Sequence, residues 1–381
     1  MEGAPISGLD ELDKHLDDLV QDPALVLDPK LFDDVELQLT DTNIPPLIPR
    51  FLPRLTTILK SYSEDPAIIA SLTTKFLGPV PFNEVFLLAS PDEIVQALDA
   101  PVPGANLLAM SIIHKAAANP DDVARLCTVT HLVEAFIHRW LAAPQVEVGH
   151  RASKVLGDLL DIDCDLAPPP PAASHPAGAA HANPVLRKSP GQGALWRLLF
   201  RDKHMYTCLL DLCSGRHADT SAPRQLSLAQ GRVLRLLPRL AALNFPAISR
   251  SDMAAPNPAH RTNGTHGGGG GGADGPAGSA PRPGEGFLQY AALRMVNKSD
   301  QLMHRNLADF FETLVSLLRV TEHSASKAQT LRAILSEATA DDELLKDALL
   351  TLPQRTVEEE ADGLRSWLAE LLPAQLVLSL R

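Results

Sequence analysis

The sequence predicts an all-α protein, arranged as an armadillo/HEAT-like α-solenoid with two disordered low-complexity insertions. Apolar side chains recur at the four-residue step that places them on one face of a helix. No stretch of the sequence shows the sustained alternation of a half-buried strand. Helix triplets between proline breaks recur at roughly forty residues, within the range of armadillo and HEAT units. Such triplets bury their apolar faces by stacking, although coincidental spacing in an irregular helical domain is the alternative.

The clearest triplet covers residues 103–160. Its first helix carries Leu108, Ile112 and Ala116 on one stripe. We predict that Pro120 ends this helix, because proline lacks an N–H and restricts the residue before it. Successive copies of the pattern begin at three prolines: Pro66, Pro103 and Pro144.

The segments before the repeats are predicted to be helical as well. In residues 1–30, leucines line one side of a strongly acidic helix. We interpret this helix as an N-terminal cap with a solvated face, and an acidic binding arm is the alternative. The helix over 47–61 contains Pro49 and Pro53, which we expect near its first turn or at a kink.

Two helical segments follow the first low-complexity stretch. A helix begins at Ala194, a turn is expected near Asp202, and a second helix follows. The helix over 226–243 carries a row of basic side chains at helical spacing, which we interpret as a solvated face, with a basic docking stripe as the alternative. The row consists of Arg232, Arg235 and Arg239.

The C-terminal part is predicted to contain five helices. Segments 287–296 and 302–318 are expected to pair antiparallel. Ser324 and Thr356 are expected to cap the first and last of the remaining helices, and Glu359 would complete a capping box with Thr356. Those remaining helices are placed at 324–338, 341–351 and 356–372.

Two low-complexity segments are predicted to be disordered linkers, at 167–192 and 253–284. The first is rich in proline and alanine and lacks the large apolar side chains that offset ordering entropy. The second contains the glycine run Gly267–Gly272. They separate N-terminal armadillo-like repeats, a middle helical segment and C-terminal helical repeats, which cover 1–166, 193–252 and 285–381.

Composition limits the classes of partner. The chain has 34 Lys and Arg against 46 Asp and Glu, a net charge of −12, which argues against a phosphate-backbone partner. The four cysteines predict no disulfide, and neither a signal peptide nor a membrane-spanning apolar run is evident. We therefore expect a cytoplasmic and nuclear protein with no membrane contact, monomeric on its own.

No catalytic motif is apparent, and we expect neither an enzyme nor a cofactor. Gly191-Gln-Gly193 resembles half of a dinucleotide fingerprint, but it lacks the preceding strand and the third glycine. His131 and His138 share one side of a predicted helix, but about 10.5 Å of helical rise separates them, too far for one metal ion. No metal site is expected.

A binding surface remains as the candidate site. In armadillo-type repeats the third helix of each unit lines the concave groove, and here those helices are 91–99 and 130–142. The side chains that point away from the apolar faces of these helices are candidates for partner contact, with plain solvent exposure as the alternative. They are Glu93, Gln96, His131, Glu134 and His138.

Several stretches together resemble a known family. They are the repeats, especially 103–160, the run Gly191-Gln-Gly-Ala-Leu-Trp-Arg-Leu-Leu-Phe-Arg-Asp, the run from Tyr206 to Cys213, Gly286-Phe-Leu-Gln-Tyr-Ala-Ala-Leu, and Leu302-Met-His. These stretches are similar to the armadillo/HEAT-type chaperones that assemble the base of the 26S proteasome regulatory particle. They resemble its filamentous-fungal members most, some of which are catalogued as DNA mismatch repair proteins. The resemblance covers about two-thirds of the chain.

The resemblance implies a non-catalytic scaffold that holds the C-terminal domain of one AAA ATPase subunit of the proteasome in its groove until assembly is ready. The two insertions and a short C-terminal half depart from the family pattern, so the extent of the binding arc is open. A general α-solenoid adaptor for another complex is one alternative. A DNA mismatch repair accessory factor is another, but the net charge fits it poorly.

Overall fold

The computed structural model describes residues 6–62, 64–166, 190–250, 282 and 284–377. Across those residues every regular element is a helix, and the one β-type contact is an isolated antiparallel bridge between Arg250 and Glu285. The prediction of an all-α fold is therefore confirmed. Most of the two predicted linkers, 167–192 and 253–284, lies outside the described residues.

The chain divides into two compact units, Met1–Leu159 and Leu160–Arg381. The first begins with nine helices: α1 (Leu9–Gln21), α2 (Pro29–Glu36), α3 (Ile48–Ser61), α4 (Ala67–Leu77), α5 (Phe82–Leu88), α6 (Pro91–Asp99), α7 (Pro103–His114), α8 (Pro120–Thr128) and α9 (Thr130–Ala142). The boundary between the units falls inside α10 (Val146–Ile162).

The described part of the second unit contains ten further helices. They are α11 (Ala194–Phe200), α12 (Lys203–Ser214), α13 (Pro223–Leu243), α14 (Phe245–Ser249), α15 (Phe287–Leu293), α16 (Gln301–Arg319), α17 (Ala325–Thr339), α18 (Glu343–Thr351), α19 (Glu358–Leu371) and α20 (Ala374–Val377). Short 3-10 helices occur in both units, at Pro45–Leu47 and Lys115–Ala118 in the first and at Ala218–Thr220 and Leu352–Arg355 in the second.

Most helix starts follow local chemistry that the sequence displays. Asn119 accepts a hydrogen bond from the backbone N–H of Asp122 at the start of α8, and Asp202 accepts one from Met205 at the start of α12. The capping box predicted at Thr356 is wrong. Its hydroxyl instead donates to the carbonyl of Leu352, because Thr356 closes a 3-10 helix before α19 begins.

The cap predicted at Ser324 is placed correctly, but it lacks the expected hydrogen bond. Ser324 occupies the N-cap position of α17, yet its side chain accepts no capping bond from that helix. Neither serine nor threonine at the start of these C-terminal helices therefore caps in the way that the sequence pattern suggests.

Two helix pairs of the first unit lie three places apart in the element order. Helix α4 packs on α7, and α6 packs on α9. The α4–α7 contact is close, because a Cβ added at Gly104 would lie 2.8 Å from the Cα of Ala67. The stripe predicted on α7 faces inward, with Leu108, Ile112 and the following Ala116 buried.

The second unit also contains helix pairs three places apart. Helix α14 contacts both α11 and α17, and α16 contacts both α13 and α19. The antiparallel pair predicted for 287–296 and 302–318 is replaced by other partners, since α15 packs on α13, α14 and α17 whereas α16 packs on α13, α18 and α19. Within each unit some helices thus contact those three places further along, and others contact those two places along, such as α16 with α18 and α15 with α17, so the predicted triplets stay a prediction.

The arginine row of α13 was predicted to be a solvated face, and this prediction is wrong in part. Arg235 is exposed, but Arg232 is buried, and burial lowers the pKa of Arg232 to about 10. Arg239 lies with Nη2 3.3 Å from Oδ2 of Asp161. The row is therefore not the solvated face that its spacing suggested, because α13 packs against neighbours on more than one side.

Just before α11, backbone hydrogen bonds join two chain segments that are separated in the sequence by 167–189, and we call such a closure a neck. The N–H groups of Gly191 and Gly193 donate to the carbonyls of Cys164 and Asp163, at 2.7 and 2.8 Å. A Cβ at Gly191 would lie 2.3 Å from the carbonyl carbon of Asp163, and Gly193 has a φ of 65°. Gly191 and Gly193 therefore serve close backbone approach and a left-handed turn, which accounts for the incomplete dinucleotide fingerprint.

A second neck precedes α15. The amide of Gln289 donates from Nε2 to the carbonyl of Ser249 at 2.7 Å, next to the bridge between Arg250 and Glu285. A Cβ at Gly286 would lie 2.2 Å from the carbonyl oxygen of Ile248. Each predicted linker thus leaves and rejoins the folded chain at nearly the same point.

Candidate protein-binding surface

The two predicted groove helices, 91–99 and 130–142, are present as α6 and α9 with those bounds, and they pack side by side. The apolar wall of α9 is buried as its pattern predicts, at Leu132, Val133, Phe136, Ile137, Trp140 and Leu141. The predicted contact residues are more exposed than this wall. Gln96 and His131 are exposed, and Glu93, Glu134 and His138 are half-buried.

Two ion pairs and a histidine–aspartate contact join α6 to the helices on either side of it. On one side, Nζ of Lys60 in α3 lies 2.7 Å from Oε1 of Glu93. Toward α9 the pairs are His131 Nε2 with Asp92 Oδ1 at 3.2 Å, and Arg139 Nη2 with Asp99 Oδ1 at 3.8 Å. The three helices α3, α6 and α9, which we call the third-helix row, are therefore linked through side chains.

The carboxylate of Glu93 is already bonded to other groups of the protein. Its carboxylate accepts the backbone N–H of Ser90 at 2.9 Å, while the hydroxyl of Ser90 accepts the N–H of Glu93, which forms a capping box. The hydrogen bond from Lys60 is the main reason that the pKa of Glu93 lies below its usual value. Gln96 makes no side-chain hydrogen bond within the described chain, so it is the more available contact residue.

Helix α1 turns its acidic side towards α3. Asp13 accepts hydrogen bonds from Arg50 and Arg54, and the bond from Arg50 is the main reason that its pKa lies below the usual value. Both guanidinium groups also lie over the ring of Phe51, at 5.2 and 5.4 Å from its centroid. The prediction of a solvated acidic face is therefore wrong in part, because arginines of α3 pair with three of its carboxylates: Asp10, Asp13 and Asp17.

Interhelical contacts of carboxylates with arginine or histidine side chains recur at a similar sequence separation in both units. In the second unit, Nη2 of Arg319 lies 2.6 Å from Oε2 of Glu360, which is 41 residues further on. Other pairs lie 37 to 47 residues apart: Arg54–Asp17, His114–Asp158, His304–Asp342, Arg332–Glu370, Arg355–Glu312 and His323–Glu370. This separation is close to one predicted repeat. Residues about one predicted repeat apart in the sequence therefore face each other at these places.

Sequence reasoning missed several members of the third-helix row, namely Lys60, Asp92, Asp99 and Arg139. No local motif marks them, because their partners lie on other helices, far away in the sequence. A search for opposite charges about one repeat apart would have found them. Such pairs on a partly exposed surface contribute little energy one by one, and their common spacing is the informative feature.

The described residues show few groups suited to chemistry. The four cysteines are free, and within either unit taken alone no three described His, Cys, Asp or Glu side chains converge as metal ligands. Among the described helices none is long and apolar enough to cross a membrane. The surface argument therefore rests on shape and on the charges of the third-helix row.

Comparisons of the chain with family models, with curated proteins and with solved structures found no match. The functional argument accordingly rests on the sequence and the geometry of this chain. Its two strongest elements are the contacts between helices three places apart and the similar sequence separation of the pairs between acidic and basic side chains.

Proposed function

We propose that this chain is a non-catalytic α-solenoid scaffold, a chaperone that binds an AAA ATPase subunit of the 26S proteasome regulatory particle while its base assembles. The observation that carries the proposal is the recurrence of contacts between acidic and basic side chains about one predicted repeat apart in both units. Recurrence of this kind is typical of stacked helical repeats, which act through an extended exposed surface rather than a reactive pocket. The sequence resemblance supplies the class of partner.

The proposed binding surface is the third-helix row. Its helices are held side by side by ion pairs and by the buried wall of α9, so the row offers a rigid surface. Rigidity favours binding, because little side-chain or backbone freedom has to be lost on association. Gln96 and His131 are the exposed positions where a partner would make first contact.

The proposed mechanism is steric and competitive. The C-terminal domain of an ATPase subunit occupies the row, which keeps that domain from premature contacts. Release follows when another surface of the assembling particle competes for the same domain. No covalent step and no cofactor enters this mechanism.

A binding measurement tests the proposal. Purified C-terminal domains of the proteasomal ATPase subunits are titrated into the full chain by calorimetry, and one of them is expected to bind. Gln96→Arg is expected to weaken that binding by about tenfold or more, because a large cation would be forced into the interface. Asn83→Arg is the control, since Asn83 is an exposed amide on α5, outside the third-helix row, and its replacement should leave affinity unchanged.

The same measurement also distinguishes the proposed chaperone from the main alternative, a general adaptor for another complex. A general adaptor would have the same repeats, yet it would bind none of the ATPase domains. In that case affinity purification with mass spectrometry would recover a different complex, and capture of that complex should still be sensitive to Gln96→Arg. Equal binding by both variants to an ATPase domain would show that the third-helix row is not the contact surface.

A further inference from the structure

Helix α11 begins without a capping side chain of its own. Gly193 occupies its N-cap position and has no side chain that could accept a hydrogen bond. The carboxylate of Asp163 takes this role from 32 residues away, because its Oδ2 accepts the backbone N–H of Leu195 at 2.7 Å. The N–H groups of Ala194 and Trp196 also donate to that carboxylate. Asp163 is therefore a remote cap of α11.

The backbone of Asp163 forms part of the neck before α11. Its carbonyl oxygen accepts the N–H of Gly193 at 2.8 Å, and the carbonyl of the adjacent Cys164 accepts the N–H of Gly191 at 2.7 Å. Asp163 is fully buried, and a Cβ at Gly191 would lie 2.5 Å from its Cα. One residue thus closes the neck with its backbone and caps the helix with its side chain.

Helix α11 covers an aromatic part of the second unit. The ring of Phe200 lies 6.0 Å, centroid to centroid, from the ring of Phe287 in α15. The indole of Trp196 donates from Nε1 to the carbonyl of Leu160 at 2.8 Å. Displacement of α11 would therefore uncover Phe287 and expose the four buried side chains of the helix, which are Leu195, Trp196, Leu199 and Phe200.

We propose that α11 is a detachable strap and that the side chain of Asp163 is the latch that closes it. A helix of seven residues is too short to be stable without tertiary contacts, so it stays folded only while its cap and its packing hold. Loss of the hydrogen bond between Leu195 and Asp163 frees the start of α11 and loosens the neck at the same place. The neck and α11 therefore open together as one local unit, while the rest of the second unit stays folded. This strap is independent of the third-helix row and of the proposed partner.

The charge of Asp163 influences the opening. Burial raises its pKa above the usual value of 3.8, and the N–H groups of α11 and the charge of Arg197 only partly oppose that effect. The carboxylates on the same segment have other partners, since Asp161 pairs with Arg239 of α13 and Asp165 accepts the side-chain amide at the N-cap of α14. A carboxyl with a raised pKa stabilises the closed state below its unfolded pKa, and this stabilisation is lost as pH rises through the folded value. The strap should therefore open more readily at neutral pH than at acid pH.

Hydrogen exchange in the wild-type chain is the first test. Four N–H groups report on the strap and the neck: the amides of Gly191, Gly193 and Leu195, and the indole of Trp196. We expect these four groups to share one opening constant, larger than that of the amides in α16. After correction for intrinsic exchange, this constant should increase from about pH 4 to about pH 7.

Variants at the latch are the second test. Asp163→Ala should raise the shared opening constant about fivefold or more, because the helix loses its cap. Asp163→Asn keeps an acceptor oxygen for Leu195, so its opening constant should stay close to that of the wild type and should no longer depend on pH. Asp202→Ala is the matched control, since it removes the cap of the neighbouring α12, where Asp202 accepts the N–H of Met205 at 2.9 Å. It should speed exchange at Met205 and leave the four reporting groups unchanged.

Three results would overturn the proposal. Different opening constants for the four groups of the wild-type chain would show that the neck and α11 open separately. An effect of Asp163→Ala confined to Leu195, or spread evenly to the amides of α16, would show that Asp163 is not a latch. A pH dependence that persists in Asp163→Asn would assign the titration to another group. The wild-type measurement decides by itself if Asp163→Ala does not fold.

Discussion

The backbone N–H of Gly191 donates a hydrogen bond of 2.7 Å to the carbonyl oxygen of Cys164. This contact brings together the two ends of the stretch 167–189, which lies outside the described residues. Because the folded chain closes behind the stretch, the fold should not depend on what the stretch contains. The necks before α11 and α15 make this a property of both predicted linkers.

Replacing residues 167–189 with a short Gly/Ser linker should therefore leave the fold intact. A shorter loop has a smaller entropic cost of closure, so the free energy of unfolding should rise by about 1 kcal/mol. Urea denaturation followed by circular dichroism measures this change. Gly191→Ala in the full-length chain is the contrast, because its Cβ would meet the backbone of Asp163, and it should destabilise the chain. A loss of cooperative unfolding in the shortened chain would contradict the prediction.

Replacing either of two helical glycines by alanine should change the free energy of unfolding, in opposite directions for the two positions. A Cβ at Gly104 would lie 2.8 Å from the Cα of Ala67, so Gly104→Ala should force α4 and α7 apart and cost about 1–3 kcal/mol. A Cβ at Gly231 would meet nothing closer than 3.9 Å, so Gly231→Ala should stabilise α13 by about 0.5–1 kcal/mol. Chemical denaturation of both variants measures these changes. If both variants changed the free energy of unfolding in the same direction, the close α4–α7 contact would be misjudged.

Asn106 should be essential for the end of α6. Its fully buried side-chain amide donates from Nδ2 towards three carbonyls, at 2.9 to 3.0 Å. Asn106→Leu should lose these bonds and leave buried carbonyls unsatisfied, at about 1–3 kcal/mol. Asn106→Asp should cost more, because a carboxylate would face carbonyl oxygens. Asn83→Asp, at an exposed position, is the control for the same chemical change. Urea midpoints for the three variants decide the order.

Asp342 should contribute to the decrease in the free energy of unfolding at acid pH. Burial raises its pKa, but hydrogen bonds from Lys298, the backbone of Leu345 and His304 outweigh that effect, so its folded pKa lies below the usual value of 3.8. A carboxyl with a depressed pKa stabilises the fold above its unfolded pKa, and this stabilisation is lost as pH falls through the folded value. Asp342→Asn should therefore destabilise the chain at pH 6, and its difference from wild type should shrink below pH 3.8. Urea titrations across that range measure the difference, and a constant gap would refute the assignment.

Local sequence signals predicted the helices well, because prolines and caps act on their own neighbours. The bounds of α6 and α9 follow from Pro91 and from the break before Pro144, and the buried stripe of α7 follows from its four-residue step. What the sequence did not predict depends on residues far along the chain. Arg232 looked solvated because its spacing says nothing about the helices that cover it.

At the candidate surface, too, some features follow from the local sequence and others depend on residues far along the chain. The exposed positions Gln96 and His131 could be selected from a helical wheel alone. The pairing of Lys60 with Glu93, or of Arg54 with Asp13, requires knowing which helices lie against each other. Thr356 was misread for a local reason: its hydroxyl donates to the carbonyl of Leu352, and the N-cap of α19 is the next residue, Val357.

The pattern of helix packing has a consequence for how the chain responds to heat or force. Because α6 is secured mainly by α7 and α9, and α16 mainly by α13, α18 and α19, damage at one place reaches only a few neighbours directly. Cooperativity should fade with distance along such an array. We therefore expect melting in stages, with one block of helices fraying while a distant block of the same unit keeps its amide protons protected.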